Sequence, residues 1–260
     1  MDQSYFKNAP NVPRILYKPE MKNVFYRIAE HFGTSVTGIL GVNCESLIEF
    51  YPRNNAYTTI RTLSQFRCLN MEDEHGKEIL NSIINDPILN RENIKADLMK
   101  QIPSESERLQ LIDIERSKNR KNDSTTLNKI TQICNKKTSV TSTQISVQQR
   151  KLIVELLTES NVSEILENEM PIVLVLDNAK IHKATDVEIA CEILNIELLF
   201  LPTYSPELNP IEDLWRIIKS VVYSADYNSL DELVEIITEE FYENVTSESL
   251  YENWINEYMS

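Results

Sequence analysis

Two carboxylates are the residues best suited to chemistry. Asp177 closes the apolar run Ile172-Val-Leu-Val-Leu-Asp-Asn178, and Glu212 closes Leu201-Pro-Thr-Tyr-Ser-Pro-Glu-Leu-Asn-Pro-Ile-Glu212. Thirty-four residues lie between them. Carboxylate oxygens are the hard ligands that magnesium and manganese prefer, and carboxylates brought together from separate elements suggest a divalent-metal site acting on phosphodiesters. A Glu in the first turn of a helix also complements the helix dipole. A strand-terminal Asp close by in the fold, with one apolar strand between the two acids, favours the metal reading here. The sequence has neither a Ser-His-Asp arrangement nor a Gly-rich phosphate loop, so NTP hydrolysis and a nucleotide cofactor are not expected.

Several elements must position these acids. Pro171 to Leu176 and Ile196 to Leu201 read as buried strands, with a helix at Ala184 to Leu194 between them. Apolar strands alternating with helices argue for parallel pairing, and open α/β sheets place ligands at the C-terminal ends of such strands. Asp177 would sit at one of those ends. A helix over Pro210 to Tyr223 would begin with Pro210 as its first residue and Asn209 as N-cap, placing Glu212 in the first turn. Upstream, residues 32–51 read as a β-hairpin turning at Asn43-Cys44, with Gly33, Gly38 and Gly41 marking bulges or close approach. Ala56 to Arg67 carries helical spacing. Residues 71–168 read as a mostly helical insertion with a polar middle at Ser117 to Thr126, and the chain from Ser229 onward reads as amphipathic helix.

The expected divisions are therefore 1–70 and 169–223 as two parts of one core, 71–168 as the insertion, and 224–260 as an acidic helical C-terminus. At 260 residues, with 42 % hydrophobic and 25 % charged content, the chain can bury a sizeable core. Apolar runs are too short to span a bilayer, so no membrane partner is expected. No signal peptide is read at Met1-Asp-Gln-Ser, and Cys44, Cys68, Cys134 and Cys191 are widely spaced. A soluble cytoplasmic protein with reduced thiols is the expectation. Net charge is −14, unusual for a nucleic-acid binder, but ten acids and no Lys or Arg follow Lys219, leaving the rest near balance at −4. That acidic region reads as a solvated helical surface or, alternatively, a docking surface for a basic partner.

Leu176-Asp-Asn-Ala-Lys-Ile-His-Lys-Ala184 and Leu201 to Lys219 resemble the signature of DDE-superfamily transposases, within them the mariner-like group and its bacterial and archaeal insertion-sequence branch. The resemblance implies an α/β RNase H-like (retroviral integrase-like) core with a mixed sheet flanked by helices. It implies a catalytic and metal-binding set of Asp2, Asp177 and Glu212 holding two Mg²⁺ or Mn²⁺ ions. Asp2, in Met1-Asp-Gln-Ser-Tyr-Phe6, matches the family's first aspartate, which ends the first core strand. The chain would then start at that aspartate, as an N-terminally truncated catalytic domain without the family's helix-turn-helix. The implied activity is DNA cleavage and strand transfer at transposon ends, by a homodimer that is nucleoid-associated when bound to DNA. The rival is a truncated, inactive remnant or regulator that binds a full-length copy or DNA without cleaving.

Within the same motifs, Asn178 would orient Asp177 or simply end the strand. His182 would contact DNA or phosphate, or cap the surface. Tyr204 and Asn209 would make a rigid turn before Glu212, and Trp215 would pack its helix onto the sheet. Lys180, Lys183, Arg216 and Lys219 would meet phosphates, or serve as ordinary solvated surface.

Overall fold

The computed structural model describes residues 1–7, 33–100, 140–203, 205, 208–227 and 229–245. Its strands form two sheets. In the first, β1 (Asp2–Lys7), β2 (Gly33–Ile39) and β3 (Leu47–Tyr51) pair antiparallel in the order β1-β2-β3, with Asp2 opposite Gly38. In the second, β4 (Ile172–Leu176) and β5 (Ile196–Phe200) pair in parallel. The helices are α1 (Ala56–Leu69), α2 (Glu74–Ile84), α3 (Arg91–Lys100), α4 (Ser142–Glu159), the single turn α5 (Val162–Ile165), α6 (Thr185–Ile193), α7 (Pro210–Ser224) and α8 (Leu230–Val245).

Local chemistry explains where the helices start. Asn55 accepts from the N–H groups of Tyr57 and Thr58, and the Thr58 hydroxyl accepts in return from the Asn55 N–H, a capping box that opens α1. Thr141 and Gln144 build the same device at α4. Each such cap satisfies amide groups that no helical carbonyl can reach.

The strands divide two apolar clusters. On one side Ile60, Leu63 and Phe66 of α1 pack with Leu80, Ile153, Leu157, Val187 and Ala190 of neighbouring helices and with Leu174 and Leu176 of β4. On the other, Phe6, Val36 and Ile48 of the antiparallel sheet meet Trp215 and Ile218 of α7 and Leu233, Ile237 and Phe241 of α8. Five of the acids of α8, Asp231, Glu232, Glu235, Glu239 and Glu243, are exposed, and Glu240 is half-buried. This part of the acidic region is a solvated helical surface.

The α/β class, the hairpin, the α1 and α6 helices and the parallel β4–β5 pair agree with expectation. Two features differ. The strands do not merge into one mixed sheet: β1 touches β4 through one bond, from the Met1 α-amine to the Val175 carbonyl at 2.7 Å. Because β1 begins level with the end of β4, the two overlap too little for a ladder. Second, β4 and β5 are not buried on both faces, since Val173 and Leu199 are 59 % and 55 % exposed. Within the expected helical insertion over 71–168, α2 and α4 pack into the α1 core through Leu80, Ile83, Ile84, Ile153 and Leu157. The Ser117 to Thr126 stretch and residues 246–260 lie outside the described residues.

Candidate active site

Asp2 sits at the head of β1, where Asp2, Ser4 and Phe6 alternate with Gln3 and Tyr5 and turn toward the buried side. Its cross-strand neighbour Gly38 has a structural reason to be glycine. A Cβ there would lie 2.7 Å from Trp215 Cζ2, so only glycine lets the indole of α7 rest against the sheet. Trp215 is held further by edge-on contact with Phe6, ring centroids 6.1 Å apart. Glu212 lies three residues before Trp215, so this packing also delivers Glu212 toward Asp2. The expectation that Trp215 packs helix on sheet is met, and the role of Gly38 is the concrete form of the close approach read from the glycine cluster.

Asp177 follows β4 directly and is half exposed. Its Oδ1 accepts from the Ala179 N–H at 3.1 Å and lies 3.4 Å from His182 Nε2. A tight turn, closed by the His182 N–H on the Ala179 carbonyl, folds His182 back beneath the strand end. His182 is only 1 % exposed, so it is neither a surface cap nor an open DNA contact. Burial lowers its pKa to about 4 against the opposing pull of Asp177, leaving a neutral imidazole at pH 7. The contact between His182 and Asp177 was legible only as a spacing of five residues, which does not say which way the turn folds.

Asn178 ties the two parallel strands together, donating to the Leu201 carbonyl while its side-chain oxygen accepts from Lys183. Lys183 also lies 5.0 Å from the Phe200 ring centre, and Lys219 lies 5.7 Å from that of Phe6, both with cation–π geometry. Lys180 is exposed. Arg216 is exposed and paired with Asp213 at 2.9 Å. Asn209 precedes α7 as expected, but its side chain makes no cap hydrogen bond and is buried. Tyr204 lies outside the described residues. Asn209, Glu212, Arg216, Lys219 and Tyr223 line one side of a shallow cavity of about 590 Å³ beside the acids.

Asp2 lies within electrostatic reach of the other two carboxylates. Asp2 is 8 % exposed, and burial pushes its pKa up to about 6, with further upward pressure from Glu212 and then Asp177. The Met1 α-amine stands among them and opposes that pressure, its own pKa lowered by burial to about 6. Among the described residues, no three His, Cys, Asp or Glu side chains are grouped closely enough to hold a metal ion. Like charges at short range repel, which keeps such side chains apart. As donors they suit a hard divalent cation, since all three offer carboxylate oxygen and converge from β1, the end of β4 and the start of α7.

The α/β core draws together three acids from β1, the end of β4 and the first turn of α7. A family model described as DDE superfamily endonuclease matches residues 106–234, just under half of the chain, a span that takes in Asp177 and Glu212 but not Asp2. The "Transposable element Tc3 transposase" of Caenorhabditis elegans is 44 % identical over 48 residues, which is 18 % of this chain and 15 % of that protein. No solved structure matches. Over residues 106–234 the chain is similar to the DDE superfamily endonucleases.

Proposed function

We propose that this chain is the catalytic core of a DNA transposase, of the mariner-like insertion-sequence kind, that cuts DNA strands at element ends and joins them to target. The observation that carries this reading is the placing of Asp2 close enough to Glu212 and Asp177, acids far apart in sequence, for both to push its pKa up. Asp177 and Glu212 fall inside the family match, and the position of Asp2 at the head of β1 supports adding it to the set.

Asp2, Asp177 and Glu212 would hold the metal ions, two Mg²⁺ or Mn²⁺. When bound, such ions supply Lewis acidity toward a phosphodiester and lower the pKa of the attacking hydroxyl or water. The protein's part is to orient. Asn178 fixes the end of β4, His182 supports Asp177 from beneath as a neutral imidazole, and the Trp215–Gly38 contact sets the height of Glu212. Lys183, Arg216 and Lys219 border the acids and suit contacts to DNA phosphates, with Lys180 further out. A homodimer holding two DNA ends completes the proposal.

A second reading, a remnant that binds DNA or a full-length copy without cutting it, is favoured by one observation: the acids do not close to ligand distance among the described residues. Thermal unfolding with Mn²⁺ and Mg²⁺ separates the two readings. Metal that binds only the folded protein raises stability by about 2.7 kcal/mol at a hundredfold excess over its dissociation constant. The catalytic reading expects such a rise in the wild type and its loss in Asp2→Asn, Asp177→Asn and Glu212→Gln. An identical response from all four proteins would leave the remnant.

A further inference from the structure

One face of α7 runs on past the acids to Tyr223, a residue that the proposed chemistry does not use. Glu212, Arg216, Lys219 and Tyr223 follow one another at spacings of four, three and four residues, which places them on a single stripe of the helix. At about 1.5 Å of rise per residue, Arg216 stands about 6 Å, Lys219 about 10–11 Å and Tyr223 about 16–17 Å along the axis from Glu212. The stripe lines the shallow cavity of about 590 Å³, together with Trp215 and Ser220. That volume lies within the roughly 300–1,000 Å³ of cavities that hold small organic ligands.

Each part of the stripe offers a different contact. Arg216 is exposed and held to Asp213 through Nη2 at 2.9 Å, which leaves its other guanidinium donors for a phosphate. The cation–π contact with Phe6 holds the Lys219 ammonium at the cavity wall. Tyr223 is half exposed and presents an aromatic ring at the far end of the row. Behind the stripe, Trp215 is packed between Phe6 and Phe241, with ring centroids 6.1 Å away on each side, so the track has a fixed backing. Trp215 also keeps a buried indole N–H without a hydrogen-bond partner, an unmet donor of the kind that an occupant rich in oxygen acceptors satisfies.

We propose that this stripe is a track for unpaired DNA, in which the base of one nucleotide stacks on the Tyr223 ring. The inference rests on the DNA reading above and makes it more specific. A strand whose reacting phosphate sits at Glu212 runs along α7 with its following phosphates at Arg216 and Lys219, and Tyr223 meets a base beyond them. The strand is unpaired at that point, because a base inside a duplex has both faces covered by its neighbours and cannot meet an aromatic side chain. Every base has a π-face, so the contact tolerates any sequence.

The test is fluorescence anisotropy in EDTA at low salt, with the full chain and a labelled single strand of about ten nucleotides. Wild type is expected to bind it, and Tyr223→Ala to weaken binding by roughly fivefold to a hundredfold, the range of one stacked base. Tyr223→Phe keeps the ring and is expected to keep the wild-type affinity. An abasic strand of the same length, which carries the phosphates without the bases, is expected to bind wild type more weakly and to be indifferent to Tyr223→Ala. A duplex of that length is expected to be indifferent to Tyr223→Ala as well. Because Tyr223 is exposed, both variants are expected to melt at the wild-type temperature. Four results overturn the proposal: no binding of the single strand by wild type, full affinity in Tyr223→Ala, an equal loss on the abasic strand or the duplex, or a Tyr223→Phe protein as weak as Tyr223→Ala. Comparing the normal and abasic strands on wild type gives the answer even if a variant does not fold. Neither metal nor cutting enters these measurements. A wild type without the Mn²⁺ response that still shows the Tyr223 effect strikes the catalytic reading alone, and the reverse pattern strikes the track alone.

Discussion

Burial beside Glu212 and Asp177 lifts the Asp2 carboxyl from 3.8 to about 6, so the folded protein holds that proton more tightly than the unfolded chain. The stabilisation it provides is complete below the unfolded value and is lost as pH rises through 6. A displacement of that size corresponds to roughly 3 kcal/mol. The Met1 amine acts in the other direction, because its pKa falls from 8.0 to about 6 and stability returns as pH climbs from 6 to 8. Metal-free protein is therefore expected to have a stability trough near pH 6. Urea melts in EDTA should show Asp2→Asn flattening the limb between pH 4 and 6, and N-terminal acetylation flattening the limb between 6 and 8. A wild-type curve that the Asp2→Asn profile matches in shape would remove the electrostatic strain assigned to Asp2. The same substitution should stabilise metal-free protein at pH 7 while removing its response to Mn²⁺, the pattern of a site whose acids oppose the fold until a cation neutralises them.

The contact between α7 and the antiparallel sheet decides where Glu212 stands. A methyl group at residue 38 would collide with the Trp215 ring, so Gly38→Ala should cost about 1–3 kcal/mol as an overpacking defect. Because the defect lifts the first turn of α7, the Mn²⁺-induced rise in melting temperature should shrink further than the loss of stability alone accounts for. A variant that loses stability yet keeps the full metal response would show that Glu212 is positioned by something other than this contact. At the paired ends of β4 and β5, Asn178→Ala removes the bonds to the Leu201 carbonyl and Lys183 and should cost about 1 kcal/mol. Both elements were readable as strands from their β-branched, apolar runs. Neither the Gly38–Trp215 fit nor the Asn178 bridge was, since each joins residues that no local pattern relates.

Charge works on the scale of the whole molecule. The net −14 is concentrated after Lys219, and five of the acids of α8 are exposed to solvent. Arg216 and Lys219 instead line the cavity that Glu212 faces, and Lys183 bonds Asn178 beside Asp177. If those three cations meet DNA phosphates, the slope of log affinity against log salt should fall by roughly 0.9 for each one replaced by alanine. Fluorescence anisotropy on a short duplex across a salt series measures this. A slope that does not move in the triple variant would place DNA elsewhere on the surface. Removing acids of α8 should change the slope far less, because none of them lines that cavity.

What the sequence determined by itself was chemistry carried by contiguous residues: the strand ending in Asp177, the Pro-rich turn into a helix bearing Glu212, the parallel pair, the hairpin, and the DDE signature. Those features are legible because strand and helix periods, proline and glycine act over a few residues, where neighbours in sequence are neighbours in space. Tertiary structure alone decided that His182 is buried under Asp177, that β1 meets β4 through a single bond, and that one face of β4 and β5 stays open to solvent. It also decided that α2 and α4 of the expected insertion pack into the α1 core. These outcomes depend on which surfaces meet across tens of residues of chain, and an apolar strand has the same pattern whether its second face is covered or bare. The physical difference lies in the neighbour that packs against it, and that neighbour is specified by the assembled fold.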